Sequence, residues 1–243
     1  NSLSEIIKPH ITSPEVALAI ARQIYEEALH VDSYSCMIEA IGFDPEEVYG
    51  LYRKDKSLYY KNKRVFQSMY KINREGYDTK STENAQQFLE ACTTNYIFEG
   101  VFFYSAFLIF YNFGRNNKMQ GSKEMIQFIN RDEEQHVQLF VNIINGIKEE
   151  QPELWTPVLQ ESFSKNIIES IEMEIEWGAS CIGNGILGIT QNTLAQYLQF
   201  IGDLRLSAIG LDKHWKVDNP FPWIDEFTQG NMIETNFFEG RTR

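Results

Sequence analysis

Apolar residues recur along most of the chain at the three- and four-residue spacing of one helix face, and no run of strict alternation predicts a strand. Ser13 and Pro14 are typical of a helix start, while Gly42 and Pro152 are typical of helix ends. The pattern predicts six long helices and a short helix that starts near Asp44, and the long ones cover about 14–41, 55–75, 81–113, 122–150, 157–182 and 191–209. The sequence therefore predicts an all-α fold with helices long enough to form a bundle.

The bulk composition suits one large domain. The 243 residues contain no linker-like run and no repeat, and 43% hydrophobic with 14% aromatic content can form a substantial core. The formal net charge is −12, with no cluster of Lys or Arg. Binding to nucleic acid needs a basic surface, so no nucleic-acid partner is expected.

The cysteines and the most apolar segment bear on the cellular setting. Cys36, Cys92 and Cys181 are odd in number and form no metal-binding or redox spacing, which favours a reducing, cytoplasmic environment. Only residues 97–113 are apolar enough to suggest a membrane span. This stretch is short for a span and carries Glu99 near one end, so we expect a buried core helix and no membrane association.

Two copies of a Glu-x-x-His motif suggest a metal site: Glu27 with His30, and Glu133 with His136. Residues three apart on a helix point the same way, so each motif offers a carboxylate and an imidazole to one point. A further acid, Glu99, lies in an apolar stretch with no Lys or Arg within a helical turn. A buried, unpartnered carboxylate is costly, and metal binding would remove that cost. Oxygen and imidazole ligands without thiolate favour iron or manganese over structural zinc.

Other residues share the faces of these candidate ligands. Tyr34 follows His30 by one helical turn, and three apolar side chains lie on the faces of the other acids: Phe103, Phe107 and Ile129. A single Glu-x-x-His is weak support for a metal site, but two such motifs occupy two of the four histidines. Tyr and Phe at such positions are more often ordinary core residues. We expect His10 and His214 to be surface or structural residues.

The order and spacing of these residues resemble the small, radical-generating subunit of class I ribonucleotide reductase. The resemblance covers about 13–239, and it rests on five stretches: EALHVDSY at 27–34, FEGVFF at 98–103, NRDEEQH at 130–136, NPFPW at 219–223 and NFFE at 236–239. It implies a ferritin-like helical bundle with additional helices over 1–224, followed by the start of a C-terminal tail at 225–243.

The resemblance also implies roles for individual residues. Two iron ions, or manganese, would be bound by Glu27, His30, Glu99, Glu133 and His136. Tyr34 would carry the radical, in an apolar pocket formed by Phe103, Phe107 and Ile129. Asp132 would hydrogen-bond to His30 on the route of radical transfer. The implied partners are a ribonucleotide reductase large subunit and a second copy of this chain in a homodimer.

In the family, another acidic ligand lies about thirty residues before Glu27, and a relay Trp lies further upstream, whereas the first Trp here is Trp155. A relay Tyr and a docking segment would follow Arg243. We therefore expect this sequence to be a fragment lacking both ends, which binds metal poorly and does not support reduction by itself.

Other functions stay open at this point. A ferritin-like diiron oxidase would share the motifs, but it needs neither Tyr34 nor the NFFE stretch. Iron storage fits less well because additional helices follow Pro152. A degenerate homologue or an inactive fragment lacking the first metal ligand is a further alternative. Three acids, Glu172, Glu174 and Glu176, are predicted to form a partly solvated helix face without a role.

Overall fold

A computed structural model describes residues 3–228, apart from the side chains of residues 52, 57, 64 and 65. The described residues form nine α-helices: α1 Pro14–Ala40, α2 Pro45–Tyr49, α3 Lys56–Ile72, α4 Thr82–Val101, α5 Tyr104–Arg115, α6 Gln120–Glu150, α7 Pro157–Ile182, α8 Gln191–Ala208 and α9 Asp225–Thr228. Within this range the only β-type pairing is an isolated bridge between Ile186 and Ile189. The all-α prediction is confirmed. The NFFE stretch and most of the predicted tail lie outside the described residues, so the domain boundary at 224 stays a prediction.

Local sequence accounts for most helix ends. The Ser13 hydroxyl accepts a hydrogen bond from the Val16 amide at the start of α1, and Thr156 caps α7 in the same way. The turn after α1 contains Gly42 at a φ of +87°, a backbone conformation that glycine adopts without strain. These ends lie within a residue of the predicted ones because capping is a local interaction.

One continuous helix was predicted over 81–113, and this prediction is wrong in one respect. The structure divides the segment into α4 and α5 at Phe102 and Phe103. No proline or capping side chain in the segment marks this break, and Phe103 precedes α5 without a side-chain cap of its own. At the next boundary, α6 begins at Gln120, two residues before the predicted Ser122, after Met119 in a left-handed conformation.

The helices pack around α4 and α6. Helices α1 and α5 contact α6, α3 contacts α4 and α7, and α7 lies against α8. The segment Thr82–Arg115 is long and apolar enough to cross a membrane by length and composition, but 67% of its most apolar window is buried inside the protein. Burial of this kind is expected of a core helix, as predicted for residues 97–113.

Helix α1 has an unusual distribution of buried residues. Of its four buried side chains only Ile20 is apolar, and the others are Gln23, Glu26 and His30. Its opposite side exposes large apolar residues, including Leu18 at 72% and Tyr25 at 63% of their surface. Helix α1 therefore brings mainly polar groups to the interior of the bundle.

The prediction of a solvated acidic face on α7 is wrong for one residue. Glu172 and Glu176 are exposed, but Glu174 is completely buried. Residues two positions apart in an α-helix are separated by about 200° around the helix axis, so Glu174 lies on the opposite side of α7 from its acidic neighbours.

Candidate metal centre

Helices α1, α4 and α6 bring the predicted ligands together. One ligand atom from each of Glu27, Glu99, Glu133 and His136 lies within 4.8 Å of the others. The fifth predicted ligand, His30, is beside them, with Nδ1 3.1 Å from Glu133 Oε1. All five residues thus lie at one place inside the bundle.

The two motifs contribute in the same way. Within α6, His136 Nδ1 lies 3.2 Å from Glu133 Oε2, and within α1, His30 Nδ1 lies 3.9 Å from Glu27 Oε2. Both contacts follow from the helical repeat, which places residues i and i+3 on one face. As a result both Nδ1 atoms point toward the cluster of carboxylates, and the Nε2 atoms are free to bind other partners.

The unsatisfied atoms of this cluster fit a bound metal. Three buried polar atoms of the cluster lie 3.1–3.5 Å from an ionisable neighbour but without the geometry of a hydrogen bond: Glu27 Oε1, His30 Nδ1 and Glu99 Oε2. Buried polar atoms without partners are costly, and all three are atoms of the kind that ligate cations. Three carboxylates and two imidazoles, without thiolate, form a donor set suited to iron or manganese. The residues therefore fit a dinuclear centre.

The ionisable side chains of the cluster shift one another's pKa values. Burial disfavours the charged form of His136, but the carboxylates of Glu133, Glu27 and Glu99, which face its Nδ1 atom, outweigh burial and raise the His136 pKa to about 12. Burial also disfavours the charged form of Glu133, yet its contacts with His136 and His30 lower its pKa to about 2. The pKa of Glu99 is raised well above its usual value, by burial and by the neighbouring Glu133 carboxylate.

Metal binding should therefore release protons. The pKa of His136 is about 12, so its imidazole is positively charged in the metal-free protein at neutral pH, and contacts with Glu133 raise the pKa of His30 as well. An imidazolium cannot ligate a metal, so His136 must lose a proton when metal binds. We expect at least about one proton to be released, and Mn(II) affinity that rises by up to about tenfold per pH unit for each proton released.

Isothermal titration calorimetry in buffers of different ionisation enthalpy measures this release. Mn(II) affinity that is independent of pH between about pH 6 and pH 8 would contradict it, because the raised pKa of His136 places its proton loss above that range.

Two polar residues of α1 that were not predicted as site residues orient the ligands. Glu26 Oε2 lies 3.1 Å from His136 Nε2, and Gln23 Nε2 donates to Glu99 Oε1 at 3.1 Å. Both residues are buried, and each lies four residues before a predicted ligand on the same helix. The sequence signal that could have identified these two residues is a polar side chain one helical turn before a predicted ligand. Such partners fix the orientation of metal ligands.

Asp132 lies beside His30. Its Oδ2 atom is 3.4 Å from His30 Nε2, and its Oδ1 atom is 3.2 Å from the Arg131 guanidinium. The His30 ring is therefore held between Glu133 at Nδ1 and Asp132 at Nε2. The role of Asp132 in radical transfer stays a prediction.

Tyr34 is partly buried on α1, seven residues after Glu27. Burial raises its pKa, and the negative charges of Glu133 and Glu27 add to the effect, so the phenol is protonated at neutral pH. The three predicted pocket residues differ in exposure. Phe107 and Ile129 are buried, whereas Phe103 is partly buried and stacks on Phe107 with ring centroids 6.2 Å apart.

The two other histidines lie elsewhere, as predicted. His10 packs edge-on against Tyr77, with ring centroids 4.9 Å apart, and also against Phe88. His214 is exposed beside Trp215, and its backbone amide donates to Asp203.

Known proteins share this sequence and this fold. The sequence profile of the family described as "Ribonucleotide reductase, small chain" matches residues 1–220. The ribonucleoside-diphosphate reductase subunit beta of Chlamydia pneumoniae is 38% identical over 242 residues, which are 99% of this chain and 70% of that protein. The corresponding subunit of Treponema pallidum is 35% identical, over 97% of this chain and 67% of its own length.

Solved structures agree with these relatives. The ribonucleotide reductase R2 subunit from Clostridium botulinum superposes with a TM-score of 0.83 at 33% identity, covering 93% of this chain and 71% of that one. A putative class I ribonucleotide reductase from Bacillus halodurans gives 0.82 at 28% identity, over 93% and 80%. The helices described above form the ferritin-like bundle of these proteins. The chain belongs to the ribonucleotide reductase small-chain family, the beta subunits that serve ribonucleotide reduction.

Proposed function

We propose that this chain generates a tyrosyl radical on Tyr34 at a dinuclear metal centre and stores it for a large subunit, which reduces ribonucleotides to deoxyribonucleotides. One observation carries the proposal. Three acids and a histidine with ligand atoms within 4.8 Å of one another lie in the interior, and the helix that supplies Glu27 also supplies Tyr34.

The centre would hold two iron ions, or manganese ions of the same coordination preference. Glu27 and His30 would bind one ion, and Glu99, Glu133 and His136 would bind mainly the other. Glu133 contacts both imidazoles, at 3.1 Å and 3.2 Å, so it would help both motifs to hold the metal. With oxygen, the bound metals supply the oxidising power that removes one electron from the phenol.

A tyrosyl radical also requires proton loss from the phenol and protection from water, and both depend on the surroundings of Tyr34. Because the Tyr34 phenol is protonated at neutral pH, its oxidation requires that a proton leave together with the electron. A phenoxyl radical is quenched by water and reductants, so the radical needs apolar surroundings. The buried Phe107 and Ile129, with the partly buried Phe103, would supply them.

Asp132→Asn is expected to separate radical formation from radical use. The substitution keeps the shape of the side chain beside His30 Nε2 but removes its charge. With the terminal segments that the resemblance implies supplied, we expect metal content and the tyrosyl signal to be retained, while turnover with the large subunit falls at least about tenfold. Electron paramagnetic resonance and a reduction assay measure the two quantities, with Asp212→Asn at an exposed position as the control. Undiminished turnover would place radical transfer on another route.

The direct test of the proposed function is metal loading followed by oxygen. The protein is loaded anaerobically with excess Fe(II), so that weak sites are also filled. It is then exposed to oxygen. We expect about two metal ions per chain and a tyrosyl-type paramagnetic signal. Metal without a radical would favour a ferritin-like oxidase, and absence of both would contradict the proposal.

The proposed assembly is a homodimer that works with the large subunit in the cytoplasm. The family of small subunits implies the large-subunit partner. The apolar side chains that α1 exposes, including Leu18, Tyr25 and Leu29, support self-association, since association covers apolar surface. The three free cysteines suit a reducing compartment. Sedimentation equilibrium of the isolated protein measures its oligomeric state.

A further inference from the structure

The break between α4 and α5 lies next to the candidate metal centre. Helix α4 carries Glu99 and ends at Val101, and α5 begins at Tyr104. Phe103, a predicted pocket residue, lies within the break, and Phe107 lies on the first turn of α5. The geometry of the break therefore sets the position of the Phe103 ring relative to the predicted ligand Glu99, which lies four residues earlier.

A buried ion pair from two other helices lies at this break. Lys61 of α3 contacts Glu174 of α7 at 2.5 Å, with side-chain exposures of only 8% and 0%. Lys61 Nζ also donates to the Phe102 carbonyl oxygen at 3.4 Å. Glu174 accepts hydrogen bonds from both the backbone amide and the hydroxyl of Ser105. The pair thus binds the backbone on both sides of the break.

Each charge lies at the helix end that favours it. The last carbonyls of a helix carry partial negative charge, and Lys61 contacts the carbonyl that follows α4. The first amides of a helix carry partial positive charge, and Glu174 contacts the Ser105 amide in the first turn of α5. The pair therefore replaces the caps that the local sequence does not provide.

The helices approach closely enough for this contact because of a glycine. Gly178 lies one turn after Glu174 on α7, and a Cβ atom there would lie 2.9 Å from Ser105 Cβ. The ring of Phe102 covers the ammonium group of Lys61 at 4.9 Å, with Trp177 at 5.6 Å on another side. These contacts keep the ion pair away from water and strengthen its electrostatic interaction with the backbone.

We propose that Lys61 and Glu174 are positioning residues of the metal centre. They fix the break between α4 and α5, and through it the placement of the Glu99 carboxylate and the Phe103 ring. This inference rests on the proposed function, because it assigns the pair to the same centre. Their contacts with the backbone at the break distinguish them from an ion pair that only joins two helices.

The test uses the full chain with both charges replaced by apolar residues of similar size, Lys61→Met/Glu174→Leu. Such replacements often preserve the folded state. The matched control is Lys71→Met/Glu90→Leu, which removes a more exposed pair that joins α3 to α4 at 2.9 Å. A second variant, Lys61→Met/Glu174→Gln, keeps an oxygen acceptor for Ser105.

The first measurement is amide hydrogen exchange in the metal-free protein. For Lys61→Met/Glu174→Leu we expect exchange at residues 102–107 to rise on the order of tenfold above any change in α8, because the Ser105 amide loses its acceptor and the Phe102 carbonyl loses its donor. The control should show no such difference, and the Gln variant should recover much of the protection. Equal exchange at the break and in α8 would overturn the proposal.

The second measurement is Mn(II) affinity, which we expect to weaken about tenfold in Lys61→Met/Glu174→Leu and not in the control. Unchanged affinity would overturn the link to Glu99. If the wild-type protein binds no Mn(II), the proposed metal centre fails and the link fails with it. The exchange measurement is independent of metal and still decides whether the pair holds the break.

Discussion

Tyr34→Phe is expected to abolish the tyrosyl signal completely while leaving the metal content unchanged. The substitution removes only the phenolic oxygen, and that oxygen is the atom from which the proton must leave on oxidation. The ring that packs against the core is retained, so folding and metal binding should be close to those of the wild-type protein. Paramagnetic resonance and metal analysis of the same sample, after anaerobic Fe(II) loading and exposure to oxygen, measure both quantities.

Tyr70→Phe is the matched control for this experiment. Tyr70 lies on α3, and its side chain is 70% exposed. It should therefore have no effect on the signal. A tyrosyl signal that persists in Tyr34→Phe would assign the radical to another of the twelve tyrosines.

Glu133→Ala is expected to have the second large effect, a loss of metal affinity of at least about a hundredfold. This carboxylate contacts both ligand histidines, at 3.1 Å and 3.2 Å, and is closer to them than Glu27 at 3.9 Å and 3.4 Å. The substitution also removes negative charge that would balance two divalent cations. Calorimetric titration with Mn(II) measures the affinity, and thermal unfolding of the metal-free protein shows whether the fold is retained.

Glu124→Ala serves as the control because Glu124 lies on the same helix with its side chain 64% exposed. The control should bind metal like the wild-type protein. Affinity within about threefold of wild type in a folded Glu133→Ala variant would mean that this carboxylate is not a ligand, since loss even of an outer partner costs more.

The parts of the structure that were predictable from sequence depend on local interactions. Helix boundaries such as Pro157–Ile182 follow from a capping hydroxyl, a proline at the first position and a helical repeat, all within a few residues. The grouping of Glu27 with His30, and of Glu133 with His136, follows from the same repeat. The resemblance then aligned these motifs with Glu99, and the structure brings all five side chains together.

The parts that were not predictable depend on contacts between distant segments. The division of α4 from α5 is stabilised by Lys61 and Glu174, which are 113 residues apart in sequence. Nothing in the local sequence distinguishes Glu174 from its exposed acidic neighbours. The same limit applies to Glu26, whose partner His136 lies 110 residues away. Helical periodicity assigns a residue to a face, but only tertiary packing determines what that face meets.

The polar character of the buried side of α1 has a kinetic consequence. Ile20 is the one fully buried apolar residue of α1, and Val16, Ile24 and Met37 are only partly buried against the core, so the attachment of α1 also depends on the polar groups around the centre. Ions bound by Glu27 and His30 would connect α1 to α4 and α6. Local opening of α1 would then speed metal release, so we expect the lifetime of the bound ions to depend on the local stability of this helix.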